Sequence, residues 1–153
     1  MATPCTSIDQ PGWLALREQL WPHCSREKHL SEMSSFLAAP ARFAQFVEYD
    51  ASNHALGFVE VSLRSDYVNG TSSSPVGFLE GVYVRPEARG QGVARRLIAE
   101  AERWAAGAGC VEFASDALVE NTGSHAMHAA LGFEESQRVV FFRKALRGAV
   151  NSW

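Results

Sequence analysis

Cysteine is scarce and badly placed for cross-linking: Cys5, Cys24 and Cys110 are odd in number and far apart, with no Cys-x-x-Cys pair. That argues against a disulfide frame and a zinc site and fits reduced thiols in a cytosolic protein. A surplus of positive charge is also missing. With a formal net charge of −3, the chain lacks the basic footprint of a nucleic-acid binder, although a local acidic cleft is compatible with a nearly neutral total. No apolar run approaches the roughly 18 residues that a membrane helix needs. The opening MATPCTSIDQPGW has no basic stretch leading into an apolar one, so no signal peptide is indicated. Repeats and low-complexity tracts are absent. What is present is 153 residues, 46% of them hydrophobic, enough to bury a real core. We expect one domain over residues 1–153, soluble and cytoplasmic, touching neither nucleic acid nor membrane.

Periodicity orders the chain. After Pro11, which suits the first turn of a helix, GWLALREQLW reads as a short helix, and SREKHLSEMSSFLAA as a second, with Leu30, Met33 and Leu37 at helical spacing. Ser25 with Lys28 lacks a full capping box. RFAQFVEYD and ALGFVEVSLR are β-rich and joined by ASNH, a hairpin pattern, and VGFLEGVYV is a third such run. Before it lies a polar loop, SDYVNGTSSSP. From Gly92 onward, Val93, Ala94, Leu97, Ile98, Ala101, Trp104 and Ala105 fall on one helical face, and Gly107 and Gly109 stop the helix. CVEFASD then reads as a strand, NTGSHAMHAALG as a helix closed by Gly132, and RVVFFRKAL as a terminal strand. The order predicts a mixed α/β (α+β) domain with one βαβ unit near its middle.

At the junction VYVRPEARGQGVARRL, Gly90 and Gly92 stand where a strand ends and a helix begins. The first helical turn carries unpaired N–H groups and the positive end of the dipole. Side chains removed from the approach let a phosphate reach those groups, and Arg89 adds a full charge. Neither G-x-x-x-x-G-K-[ST] nor G-x-G-x-x-G is present.

The segment Arg89-Gly90-Gln91-Gly92-Val93-Ala94 does fit [R/Q]-x-x-G-x-[G/A], and it resembles the pyrophosphate loop of the GNAT acetyltransferases. GVYVRPEARG before it and VENTGSHAMHAALGFEE after it fall where that family places its fourth strand and its N-x-x-x-x-x-[LM]-Y-x-x-x-G-F segment, so the likeness spans about residues 42 to 144. DYVNGTSSSPVGFLEGVYV, ASDALVENTGSHAMHAALGFEE and VVFFRKAL look further like the bacterial aminoglycoside 6′-N-acetyltransferases, extending the likeness over nearly the whole chain. The resemblance implies a central, mostly antiparallel sheet with a βαβ acetyl-CoA-binding core flanked by helices. It also implies acetyl-CoA as co-substrate without a metal, an aminoglycoside acceptor, antibiotic resistance as the outcome, and a homodimer.

The same likeness places the cofactor along Val82, Val84, Arg89, Gly90, Gly92, Val93 and Ala94. Asn121 is expected on the pantetheine arm, as the cap of its helix, or both. For the acceptor, alternation along VGFLEGVYV puts Val76, Phe78, Glu80, Val82 and Val84 on one face. A carboxylate in such a row is solvated, paired or used, because burying it unpaired is costly. Asp116 ends the next strand. Either acid also has an ordinary reading, a paired edge residue for Glu80 and a turn cap for Asp116; in the family such acids line the acceptor cleft, and several carboxylates suit a polycation. Asp66 and Tyr67 are expected to add an acid and a ring for sugar contact, and Trp21 is read equally as stacking surface or core aromatic. Arg95 and Arg96 read as a solvated helix face.

An alkylammonium of pKa near 10 is neutral in only about one part in a thousand at pH 7, a deficit of roughly 4 kcal/mol. A base must therefore take its proton, directly or through water. Glu80 and Asp116 are the expected binding and orienting acids, with either of them or an intervening water carrying the proton. Backbone N–H near Val82, where the family's fourth strand bulges, is expected to meet the oxyanion. The tyrosine that protonates the departing thiolate in many GNAT enzymes is replaced here by His128, four residues before Gly132-Phe133. Histidine can serve as that acid, or the thiolate needs none. His125 and His128 lack a nearby third metal ligand. Two other readings stay open: a GNAT enzyme for polyamines or another small amine, and a non-catalytic acyl-CoA-binding module.

Overall fold

The structure, a computed structural model, describes residues 2–146; the tail RGAVNSW, to which the sequence assigns no role, lies outside them. The elements run β1 (Ala2–Pro4), α1 (Trp13–Leu20), α2 (Arg26–Ala38), β2 (Phe43–Tyr49), β3 (Ala55–Arg64), β4 (Val76–Val84), α3 (Val93–Gly107), β5 (Phe113–Ala114) and α4 (Thr122–Ala130), with a 3-10 turn at Pro86–Ala88. The five strands stand in chain order in one sheet. Every pairing is antiparallel except β4 with β5, the parallel pair that α3 connects.

The centre of β3 is buried without interruption because both faces of the sheet are covered. Val59 and Val61 join Leu79, Val93, Leu97 and Ile98 in a core beneath α3. Phe58, Val47, Trp13, Leu16 and Met33 make a second core beneath α1 and α2. Each such side chain contributes on the order of 1.5–3 kcal/mol by leaving water, so the sandwich is held mainly by apolar burial. Local signals set the helix starts. Ser25 caps α2 by accepting from the Lys28 N–H at 3.1 Å, although no acid completes a capping box. Gly12, with φ of 81°, caps α1, so Pro11 lies just ahead of the helix rather than in its first turn.

Three further expectations need correction. The apolar row along β4 does not hold one face. β3 and β4 change register between Glu60 and Val61, pairing Glu60 with Gly81 and Val61 with Leu79, so Glu80 is an extra residue in a bulge. Alternation therefore reverses there: Leu79, Val82 and Val84 pack toward α3, whereas Val76 and Phe78 belong to a separate cluster with Val68. The strand expected over 110–116 pairs only at Phe113 and Ala114. The terminal run RVVFFRKAL forms no strand within 138–146. It lies off the body with Phe141 83% and Phe142 92% exposed, and strand propensity without a bonded neighbour does not make a strand. Arg95 and Arg96 are exposed, as a solvated helix face requires, and in addition make the contacts described below.

Candidate active site

The turn leading into α3 is built on two left-handed glycines, Gly90 at φ 78° and Gly92 at φ 80°. A side chain at Gly90 would meet nothing within 4 Å. Conformation therefore demands glycine there, and the space outside is open to a ligand. Among the described residues, none of the N–H groups from Gly90 to Arg95 donates to a protein acceptor; the first helical bond runs from the Arg96 N–H to the Gly92 carbonyl at 3.0 Å. Consecutive free amides at a helix N-terminus are a phosphate seat.

The arginines around this seat have structural partners. Arg89 Nε donates to the Val84 carbonyl at 2.9 Å, and its guanidinium lies 5.5 Å from the Tyr83 ring. Arg96 doubles back over the turn. Its Nη1 donates to the Gln91 carbonyl at 3.0 Å and its Nη2 to Glu48 at 2.6 Å. The Glu48 carboxylate is buried in β2, so this ion pair ties the loop to the sheet and holds the Arg96 guanidinium charged. Arg95 donates to the Ala130 carbonyl at the end of α4.

Because β5 bonds β4 only at Gly77 and Phe78, the β5-facing edge of β4 has no ladder partner from Leu79 onward among the described residues. Val82 and Val84 lie on that stretch, beside the glycine turn. Carried two residues further, the same register would set Asp116 alongside Glu80, but the strands part before it and Asp116 stands exposed in the following loop. His128, on α4, reaches this point of separation. Its Nδ1–H donates to the Ser124 carbonyl at 2.7 Å, and its Nε2 shares a hydrogen bond with the Ser115 hydroxyl at 2.8 Å. The ring meets Phe133 edge-on at 5.1 Å. His128 thus pins the residue before Asp116 to α4. His125 is likewise engaged, with Nε2 donating to the Leu118 carbonyl at 3.0 Å. Asn121 caps α4, its side chain accepting from the Ser124 N–H at 3.1 Å.

On the other face, Glu80 opens into a cleft of about 330 Å³ that Arg42, Arg64, Ser65, Asp66, Tyr67 and Val68 also line. The structure therefore brings Asp66, Tyr67 and Glu80 together, and leaves Asp116 and Trp21 outside that wall. The loop carrying Asp66 and Tyr67 is anchored at its far end by Glu112, which accepts from the Ser73 hydroxyl and, at 2.9 Å, from the Ser72 N–H. Those bonds, the Ser73 hydroxyl foremost, hold the Glu112 carboxyl below its ordinary range. Trp21, just past α1, lies flat against the bulge: a Cβ on Gly81 would fall 2.6 Å from its ring. The indole also meets Phe58 edge-on at 5.9 Å and stacks over His29 at 6.5 Å. It is part of the core that backs the Glu80 bulge.

Sequence reasoning missed the row behind the cleft. Phe58, Glu60, Ser62 and Arg64 alternate along β3 on the face of α1 and α2, and polar residues at every second position of ALGFVEVSLR were the available signal. Glu60 is buried and accepts from Trp13 Nε1 at 2.9 Å and from Arg17. Arg17, 1% exposed, also donates to Glu32 at 2.5 Å and to His29 Nδ1 at 3.2 Å. Burial pushes the Glu60 carboxyl up, while Arg17 and Trp13 pull it back. Cys24, His29 and Glu32 offer ligand atoms within 4.8 Å of one another, but the Arg17 guanidinium already bonds two of the three, which opposes a second cation there.

A β-bulge beside a parted parallel pair, with a bare amide turn opening the connecting helix, defines an acyl-CoA-dependent N-acetyltransferase of the GNAT type. Residues 11–133 match the Acetyltransferase (GNAT) family, and the chain belongs to that family. Within it, the chain is 49% identical over 146 residues to an aminoglycoside N(6′)-acetyltransferase type 1 of Serratia marcescens, covering 95% of this chain and 99% of that protein. It is similar in structure to the aminoglycoside antibiotic 6′-N-acetyltransferase AAC(6′)-IG of Acinetobacter haemolyticus, with a TM-score of 0.89 and 46% identity over 95% of this chain and 99% of the other. AAC(6′)-Iy, in complex with the bisubstrate analogue CoA-S-monomethyl-acetylneamine, superposes with a TM-score of 0.86 at 43% identity, over 95% and 99% of the two chains. No helix among the described residues is long and apolar enough to cross a membrane.

Proposed function

We infer that this protein transfers the acetyl group of acetyl-CoA to the 6′-amino group of aminoglycoside antibiotics, which removes a positive charge from the drug and gives resistance. The observation that carries the donor half is the row of unpartnered amides from Gly90 to Arg95, next to a strand edge with no ladder partner. The pyrophosphate takes the amides, and the pantetheine arm takes the edge at Val82 and Val84, with Val93, Ala94 and Asn121 along its path. The whole chain, 1–153, acts as one acetyltransferase domain in the cytoplasm, where acetyl-CoA is made and where its free thiols stay reduced.

On the acceptor side, Glu80 and Asp116 hold and orient the amine from the two lips where β4 and β5 part, while Asp66, Tyr67 and Trp21 line or back the sugar. Proton removal falls to one of the two acids or to a water between them. The neutral nitrogen attacks the thioester carbonyl, and backbone N–H near Val82 meets the developing oxyanion. The C–S bond then breaks and the thiolate leaves. Through its bonds to the Ser124 carbonyl and the Ser115 hydroxyl, His128 holds Ser115 in place; as proton donor to sulfur it would act through Nε2, with Ser115 turned away. We further propose a homodimer, in which the exposed run Val139, Val140, Phe141 and Phe142 is covered by a second copy; sedimentation of a dimeric species supports this and a monomer at working concentration refutes it.

Glu80→Gln and Asp116→Asn are each expected to lower kcat/KM for a kanamycin-type drug about 10- to 100-fold, the loss of one charge-assisted contact, with the Kd for acetyl-CoA within about twofold of the parent's. Release of free CoA thiol, followed against a panel of amines, tests the reading as a whole. Turnover on spermidine but not on aminoglycosides would transfer the enzyme to polyamines, and CoA binding without turnover on any amine would make it a binding module.

A further inference from the structure

Before any substrate arrives, Glu80 is already occupied. Arg64 Nη2 is forked across its carboxylate, 3.2 Å from Oε1 and 3.0 Å from Oε2. The Ser62 hydroxyl also donates to Oε2. The Arg64 guanidinium is laid over the Phe78 ring, 3.5 Å from its centroid. The cleft as a whole pairs two arginines, Arg42 and Arg64, against two acids, Asp66 and Glu80. Its formal charge sums to zero, so an arriving cation meets no net attraction until one guanidinium yields. Ser62 is buried and stays. Arg64 is half-exposed at 41%, and ion pairs that reach solvent in this way are held only weakly.

We propose that Arg64 is a specificity-determining residue that occupies the ammonium position at Glu80 in the free enzyme and must be displaced by the acceptor. A guanidinium and an alkylammonium both donate to a carboxylate, the second as a more compact point charge, so they compete for the same oxygens. The exchange keeps Glu80 paired at every stage and raises the threshold for occupancy. An amine with one charge gains little by replacing Arg64, whereas an acceptor with several ammonium groups draws on the other acids of the cleft at the same time. The proposal rests on the reading of Glu80 as the anion that receives the amine.

Four proteins test it: the parent, Arg64→Met, Glu80→Gln and the double variant. Each is saturated with CoA and titrated calorimetrically with kanamycin, and KM and kcat are measured separately. Arg64→Met keeps an unbranched side chain beside Phe78 and removes the cation that lies on its ring; Arg64→Gln is the alternative should Met perturb folding, with thermal melts as the check. The expected result is a threefold to fivefold fall in both Kd and KM for kanamycin on Arg64→Met, a similar fold-change for a monoamine, because one competing guanidinium weakens every acceptor equally, and no fall when Glu80 is already Gln. A Kd unchanged or raised by both Arg64 variants, with Glu80→Gln raising it, overturns the displacement and leaves the acceptor site standing. A Kd that Glu80→Gln does not change removes Glu80 as the ammonium site, and the displacement with it.

Discussion

Replacing Gly92 by glutamate is expected to weaken acetyl-CoA binding about a thousandfold, the loss of two charge-assisted phosphate contacts at roughly 1.5–3 kcal/mol each. Three effects act in the same direction. Gly92 sits at φ 80° as the cap of α3, where an L side chain costs on the order of 1–2 kcal/mol. A carboxylate there repels the pyrophosphate from the amides that would bind it. A Cβ at this position would also lie 3.0 Å from Arg96 Nη1, so the new acid competes with the Gln91 carbonyl and Glu48 for the arginine that holds the loop. Gly92→Ala separates these contributions, since it carries the strain without the charge, and its loss should be about tenfold. Direct titration of CoA into each variant gives the numbers. An unchanged CoA affinity in Gly92→Glu would refute the assignment of this turn to the pyrophosphate.

That turn was legible because everything it needs is local: two glycines, a strand before and an amphipathic stripe after, within sixteen residues of VYVRPEARGQGVARRL. β3 and β4 were equally legible, since strong β-branched and aromatic runs bounded by turns settle their own ends. What escaped was set by contacts between distant segments. The Glu80 bulge depends on how β4 registers against a strand some twenty residues earlier, and a two-residue alternation carried straight through it assigns Val82 and Val84 to the wrong face. β1 is three residues long and includes Pro4, too short to show a period. The run 138–146 has strong strand propensity but pairs with no edge among the described residues, so propensity alone misled. Arg96 looked like one of two solvated helix charges until the fold brought buried Glu48 within its reach. Glu80 could be noticed as an acid in an apolar strand; that Arg64 already holds it required β3 and β4 side by side.

The largest expected effect on stability comes from Arg17, which joins α1, α2 and β3 through a single buried guanidinium. Arg17→Met is expected to destabilise the protein by about 3–5 kcal/mol, the cost of leaving a buried charge without its partner, and to lower Tm by about 10–15 °C for a domain of this size. The stranded group is Glu60, which retains only Trp13 Nε1 as a donor, with Glu32 adding a second uncompensated acid nearby. Burial already raises the Glu60 carboxyl, and Arg17 opposes that rise; without the guanidinium the folded value climbs further. A folded pKa above the unfolded one, about 4.3 for glutamate, means that the folded state binds the proton more tightly. The stability gained from that proton is present below the unfolded pKa and is lost as pH rises through the folded pKa. Denaturation of Arg17→Met should therefore show a smaller deficit at acid pH than at neutral pH. Adding Glu60→Leu to Arg17→Met should restore most of the loss, because apolar groups of similar volume can replace a buried pair at little cost. A deficit that neither acid pH nor Glu60→Leu relieves would place the damage elsewhere, in the lost cation–π contacts of Arg17 with Trp21 at 4.9 Å and Phe36 at 5.7 Å. Trp21 backs the Glu80 bulge, so the single and double variants also separate folding from site geometry. Kanamycin KM should follow the position of Trp21 and remain raised in the double variant even where Tm recovers.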